Sequence, residues 1–190
     1  MNAHRWMSIQ FFSFYVTWGI FLPYWTGWLV DVKGVSVAEA SLIMSLGLVA
    51  RGLSTLFVFP YLSGKFTSKA VLNMAGIATV LSILCYIPAE SFMSLLIVTL
   101  IIHIFYPTLM PALDNAATVL VQNHQLRDYG KSRQWGSTGF IVSGVLLTVF
   151  TGMYGDNMIL WGLLLTAVIS VGLGFMRAPL ILSEKPKTDL

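Results

Sequence analysis

The chain has 190 residues, of which 56% are hydrophobic and only 10% charged. A soluble domain carries about 25% charged residues, so the charge here is too sparse to cover a water-exposed surface. A soluble enzyme or a nucleic-acid-binding domain is excluded at the outset, and nucleic acid is not an expected partner. A membrane helix takes about 20 apolar residues, which leaves room for about six or seven spans, short loops and no large aqueous domain.

Residues 6–30 contain no charged side chain. That run is too long for a signal-peptide apolar region of about 7–15 residues, and it reads as the first membrane helix. Asp31, Lys33, Gly34 and Glu39 mark a short loop. The second span covers residues 40–62 and contains Arg51. After the loop at 63–69, the third span covers 70–89 and stops before Glu90. The fourth, 92–121, holds His103, Pro107, Pro111 and Asp114. A polar loop at 122–133 leads to the fifth span, 134–153. Tyr154, Gly155, Asp156 and Asn157 read as a tight turn, and the sixth span covers 158–176. Residues 177–190 are polar and charged and read as the start of a cytoplasmic linker. The expected fold class is an all-α membrane protein: one six-helix transmembrane bundle over residues 1–176. The lone Cys85 has no intrachain disulfide partner and reads as a small buried apolar residue.

The net charge is +3, from 11 basic and 8 acidic side chains. Arg5, Lys65, Lys69, Arg127, Lys131, Arg133, Arg177, Lys185 and Lys187 all fall on one side of the six-span arrangement, which is 9 of the 11. Lys33 alone falls on the other, with Asp31, Glu39, Glu90 and Asp156. The positive-inside rule then places both termini in the cytoplasm. Trp6 at the inner end of span one, with Trp25 and Trp28 near its outer end, fits an aromatic belt at the lipid interface.

A charge near the bilayer centre costs about 2.5–3.5 kcal/mol on insertion scales and is normally directed to a partner or a wet cavity. Arg51, Asp114 and Arg133 are the candidates. Arg51 is 11 residues from the inner end of its span and Asp114 is 7. At about 1.5 Å per residue their depths differ by roughly 6 Å, within reach of an arginine. Arg51–Asp114 and Asp114–Arg133 are both expected ion-pair geometries. A fixed pair that only joins helices is the structural alternative; an acid that binds a cation or carries a proton is the functional one. His103 lies 11 residues before Asp114, and eleven steps of about 100° return to within roughly 20° of one face. A proton relay along that face is one reading of His103, and a hydrogen-bonded packing residue is the other.

Polar and small residues also fall in stripes. Gln10, Ser13, Thr17 and Tyr24 line one face of span one, and Gly47, Arg51, Ser54 and Thr55 line span two. Gly136, Gly139 and Ser143 in span five suit close helix contact, as do Gly162, Thr166 and Ser170 in span six. Spans one and four are long, and both carry helix interrupters in their second halves: Gly19 and Pro23 in one, Pro107 and Pro111 in the other. Paired interruptions in matching spans point to a 3+3 inverted repeat with a binding site at the repeat interface.

The stretch DYGKSRQWGSTGF at 128–140 is the most specific motif in the chain. It resembles the loop-four-to-helix-five motif of the major facilitator superfamily branch that includes lactose permease, nucleoside–proton symporters and phenylpropionic acid transporters. GIFLPYW at 19–25, GLVAR at 47–51 and PALD at 111–114 are similar to the phenylpropionic acid transporter group. The resemblance implies half of a twelve-helix transporter working by alternating access, with no cofactor. It implies a small-molecule substrate such as an organic anion, together with H+, and a C-terminal six-helix half or a second copy as partner. In the lactose permease branch the arginine matching Arg133 binds substrate. An acid near Asp114 pairs with that arginine or contacts substrate, and Ser137 matches a small residue close to substrate. For an aromatic carboxylate, Arg133 or Arg51 is the natural anion partner, and Tyr24, Trp18 and Trp135 are candidates to pack on its ring. Asp114 and His103 are the proton-coupling candidates. The loop at 63–69, SGKFTSK, lacks the acid and arginines of the usual Gly-x-x-x-Asp-Arg-x-Gly-Arg-like motif of the superfamily.

The function expected is secondary active transport in a bacterial cytoplasmic membrane, with sugar or nucleoside symport as the alternative substrate class. An intramembrane hydrolase is a poor match, since Gly136, Ser137, Thr138 and Gly139 do not form a Gly-x-Ser-Gly nucleophile segment and His103 precedes them. A six-helix scaffold or channel with no transport cycle is the remaining reading.

Overall fold

The computed structural model describes residues 2–183. Within them the chain is all helical. Helix α1 is Ala3–Asp31, α2 is Val37–Leu53, and one π-helical turn, Ser54–Val58, carries α2 directly into α3, Phe59–Lys65. There follow α4 (Ser68–Cys85), α5 (Phe92–Phe105), α6 (Leu109–Gln122), α7 (Tyr129–Tyr154), α8 (Asn157–Gly174) and a 3-10 turn, Leu180–Ser183. Five stretches are long and apolar enough to cross a membrane: Val37–Lys65, Ser68–Cys85, Phe92–Gln122, Tyr129–Tyr154 and Asn157–Gly174.

Helix starts follow their caps. Ser36 and Glu39 form a reciprocal capping box, Thr67 accepts the Ala70 N–H, and Ser91 pairs with Ser94. Gly155 ends α7 at φ 84°, a conformation glycine adopts without a Cβ penalty. The tight turn expected at 154–157 is there.

Helix α1 is 29 residues long but less apolar than the other five, because it carries Gln10, Ser13, Thr17, two tyrosines and four tryptophans. It is also the helix at the centre: 15 of its 29 residues are buried, and it packs on α7, α8, α6 and α2. Its aromatic residues are core rather than an interfacial belt. Trp6, Trp25 and Trp28 are each no more than 1% exposed. The Trp25 and Trp28 rings stack at 4.4 Å, and both meet Tyr86 edge-on. Phe14, Trp18, Phe21, Trp25 and Trp28 recur every three or four residues, so they share one helical face. That face is turned into the bundle.

The polar stripe of α1 faces its neighbours too. Gln10 Nε2 donates to the Leu173 carbonyl at 2.9 Å, and Ser13 meets Ser170 of α8 at 3.2 Å. Small residues let α7 approach closely. A Cβ on Gly19 would lie 2.7 Å from the Phe140 carbonyl, and one on Gly139 would lie 2.7 Å from the Phe12 carbonyl. The stripe of Gly136, Gly139 and Ser143 is the seam expected, and all three are buried.

The interruption expected in span one is absent, since α1 runs unbroken through Gly19 and Pro23. Gly19 is four residues before Pro23, the position whose carbonyl a proline ring crowds, and packing on four helices holds the rod together there. The fourth rod does break, between Phe105 and Leu109. There the Leu109 and Met110 N–H groups bond three residues back, to the Tyr106 and Pro107 carbonyls. The Ile104 carbonyl accepts hydroxyls instead, from Thr108 and from Ser54 on the π turn.

Two smaller expectations are corrected. Cys85 is exposed; it shares the outer face of α4 with Leu81 and Leu84, while Ser82, Ile83 and Tyr86 point inward. The tail does not leave the bundle at residue 177, because Leu182 is 1% exposed and its 3-10 turn packs on α4 and α6. The rest of the expected linker, residues 184–190, lies outside the described residues.

Candidate functional site

Asp128 starts the site by ending a loop. Its carboxylate accepts the Lys131 N–H at 3.0 Å and caps α7. That backbone hydrogen bond holds its carboxyl below the ordinary carboxylate value. With α7 starting there, Tyr129 and Arg133 fall four residues apart on one face.

Asp114 faces them from α6. Arg133 Nη1 stands 3.2 Å from Asp114 Oδ1, and the Tyr129 hydroxyl donates to the same oxygen at 2.7 Å. Of the two expected pairs involving Asp114, this is the one that forms. The side chains of Arg133 and Asp114 are 30% and 38% exposed. At that exposure an ion pair adds only about 0–1 kcal/mol of stability. The cluster is thus a weak strut and an accessible pair of charges. The Arg133 guanidinium also lies over two rings of α1, 5.4 Å from the centroid of Phe11 and 5.2 Å from that of Tyr15.

Arg51 is at the middle of the 29-residue stretch Val37–Lys65. It has no acidic partner among the described residues, so the expected Arg51–Asp114 pair is not made. Asp114 is taken by α7, and Arg51 lies over Trp18 of α1, 4.9 Å from the ring centroid. A cation–π contact contributes about 0.5–2 kcal/mol, less than the about 2.5–3.5 kcal/mol cost of a charge at that depth. Stacking alone leaves Arg51 under-compensated. Phe11, Tyr15 and Trp18 fall at i, i+4 and i+7, so the two guanidinium groups sit over one aromatic stripe. Along the helix axis the stripe from Phe11 to Trp18 is about 10 Å long.

The remaining candidates separate from this cluster. His103 is buried, with Nδ1 2.8 Å from the Thr99 carbonyl; a carbonyl only accepts, so Nδ1 carries the proton. Its ring packs on Gly47 of α2 and on Phe21. It makes no contact with Asp114, which lies eleven residues and about 16 Å further along the rod, beyond the break at residues 106–108. The Tyr24 hydroxyl bonds the Gly144 carbonyl at 2.9 Å and Thr148 at 2.6 Å, tying α1 to α7. Ser137 is exposed one turn beyond Arg133 on the same face. Trp135 is 46% exposed and borders a groove of about 480 Å³ with His4, Arg5, Ser8 and Leu173, away from Asp114. Among the described residues no group of acids, histidines and cysteine is arranged to hold a metal ion.

Sequence reasoning missed Tyr129, Phe11 and Tyr15. Tyr129 could have been found from its i,i+4 spacing to Arg133. The two rings could have been found from the i, i+4, i+7 aromatic row on α1.

An all-helical bundle with five apolar spans and a one-third-exposed ion pair held against its central aromatic helix fits a major facilitator transporter. The chain belongs to the MFS_1 like family, whose model matches residues 4–188. It is 30% identical over 181 residues to the probable 3-phenylpropionic acid transporter of Escherichia coli (strain K12), covering 95% of this chain and 47% of that protein. The crystal structure of nucleoside transporter NupG matches with a TM-score of 0.79 and 19% identity, over 96% of this chain and 45% of that one, which is a likeness of fold. The chain spans about half the length of both. These relatives are membrane transporters, not enzymes.

Proposed function

We propose that the chain forms one six-span half of a proton-coupled carrier for a small organic anion of the 3-phenylpropionate kind. It works by alternating access in a bacterial cytoplasmic membrane with both termini inside. Residues 6–30, 40–62, 70–89, 92–121, 134–153 and 158–176 are its spans, related as a 3+3 inverted repeat. Facing it across the path is a second six-helix half or a second copy of the chain. The observation that carries this reading is the cluster of Asp114, Arg133 and Tyr129: two opposite charges held against an aromatic helix yet about one-third exposed. Such a pair can open and close, with the acid taking a proton as the cation lets go of it. Kinship to a protein whose name states a phenylpropionic acid substrate supports the substrate class.

The test is uptake of labelled 3-phenylpropionate by membrane vesicles from cells making the protein. Accumulation under an inward proton gradient, abolished by a protonophore, is the expected result. Uptake no different from vesicles lacking the protein overturns the proposal.

A further inference from the structure

We infer that Arg51, rather than Arg133, reads the carboxylate of the carried anion. The inference rests on the proposal above that the cargo is an organic anion. The two arginines lie over the same stripe of α1 but differ in their electrostatic surroundings. Arg133 already faces Asp114, which also accepts from Tyr129, so that cluster is closed on itself with its charge balanced. Arg51 has only the Trp18 ring, and no described acid neutralises it. Together, Arg51, Arg133 and Asp114 leave one uncompensated positive charge on this face, located at Arg51. A guanidinium offers a planar fork of donors that matches a carboxylate, and a monoanion is the ligand that cancels one charge. Gly47, one turn before Arg51 on α2, packs on the His103 ring. The titratable side chain packed against α2 there is a histidine donating to a carbonyl, not an acid. Arg133 and Asp114 then open and close the path, while Arg51 determines that an acid is preferred over its neutral analogue.

The test measures binding of 3-phenylpropionate and of uncharged 3-phenylpropanamide to the purified 190-residue chain in lipid nanodiscs. Wild type prefers the acid by about tenfold or more, the scale of one charge-assisted hydrogen-bond pair. Arg51→Gln brings the ratio of the two affinities close to one, and Arg51→Lys keeps part of it. Arg133→Gln weakens both probes together and preserves the ratio. A second readout works on the unaltered arginine: the acid, but not the amide, changes tryptophan fluorescence, and Trp18→Phe removes the change. The inference is overturned if Arg51→Gln keeps the ratio, if only Arg133→Gln lowers it, or if the fluorescence change survives intact in Trp18→Phe. It is also overturned if Arg51→Gln alters self-association and leaves both affinities alone. Wild type binding both probes equally sinks this inference and leaves organic-solute transport standing; wild type binding neither sinks both.

Discussion

Tyr129 and Arg133, one turn apart on α7, converge on a single oxygen of Asp114 across 15 and 19 residues of sequence. The acid therefore has two donors of different kinds, one cationic and one neutral. Asp114→Asn keeps the shape and one acceptor oxygen while deleting the charge. Proton-dependent uptake of 3-phenylpropionate should fall to background, with membrane insertion intact. Normal uptake with normal pH dependence in that variant would remove Asp114 from coupling.

Arg133→Lys keeps the charge and loses the fork. Tyr129 still holds Asp114, so the fold should tolerate the change. 3-Phenylpropionate and its amide should lose affinity in equal proportion, because the fork acts on Asp114 and not on the carboxylate, while the melting temperature in detergent stays within about 2 °C of wild type. A large drop in melting temperature with affinity unchanged would make the residue structural.

The α1–α7 seam predicts a contrast between two glycines. A Cβ on Gly139 would meet the Phe12 carbonyl at 2.7 Å, and backbone does not yield easily. Gly139→Ala should cost about 1–3 kcal/mol by overpacking. Gly144, on the same helix with nothing within 4 Å of its Cβ position, should accept alanine with no loss. Equal thermal stability of the two variants would contradict the close approach of these helices.

The sequence makes Tyr24 a candidate ring partner for substrate, yet its hydroxyl binds α7. Tyr24→Phe should lower stability by about 0.6–2 kcal/mol, the range for hydrogen bonds between membrane helices, and leave the affinity for 3-phenylpropionate unchanged. A loss of affinity without a loss of stability would return Tyr24 to the binding site.

Asp128 gives a pH prediction outside the spans. The Lys131 N–H lowers its pKa in the folded protein. A depressed acid contributes stability above its ordinary value of about 3.9, and the contribution is lost as pH falls through the folded value. The difference in melting temperature between wild type and Asp128→Ala should therefore be full at neutral pH and shrink as the solution is acidified below about 4. A difference that is flat with pH would show that the charge of the cap plays no part.

What could be read from the sequence depended on how local the signal was. The turn at Gly155, the seam of Gly136, Gly139 and Ser143, and the pairing of Asp114 with Arg133 follow from spacing and from the cost of intramembrane charge, both visible in one dimension. The role of α1 does not. Hydropathy registers tryptophan and tyrosine as middling, so a helix whose aromatic face is buried against four neighbours reads like an ordinary span with a belt at each end. Partner choice is equally non-local: Arg51 and Arg133 were both within reach of Asp114 by depth, and the start of α7 at Asp128 decided between them. His103 shares a face with Asp114 only on paper: eleven residues put them about 16 Å apart along the rod, and its bond to the Thr99 carbonyl keeps it in its own turn.

That break is tied to the π turn of the second rod by Ser54, whose hydroxyl meets both Thr108 at 3.0 Å and the carbonyl of Ile104. Backbone hydrogen bonds fix the direction of a helix, because each is one of a rigid, repeating set. A serine hydroxyl turns freely about its C–O bond. A tether of that kind sets the separation of two rods at its own level, while the packing of α2 on α5, Gly47 against the His103 ring, fixes how they cross. The two rods that carry Arg51 and Asp114 are therefore joined by a swivelling side-chain bond at the level where neither is a regular α-helix, and by rigid packing one or two turns away.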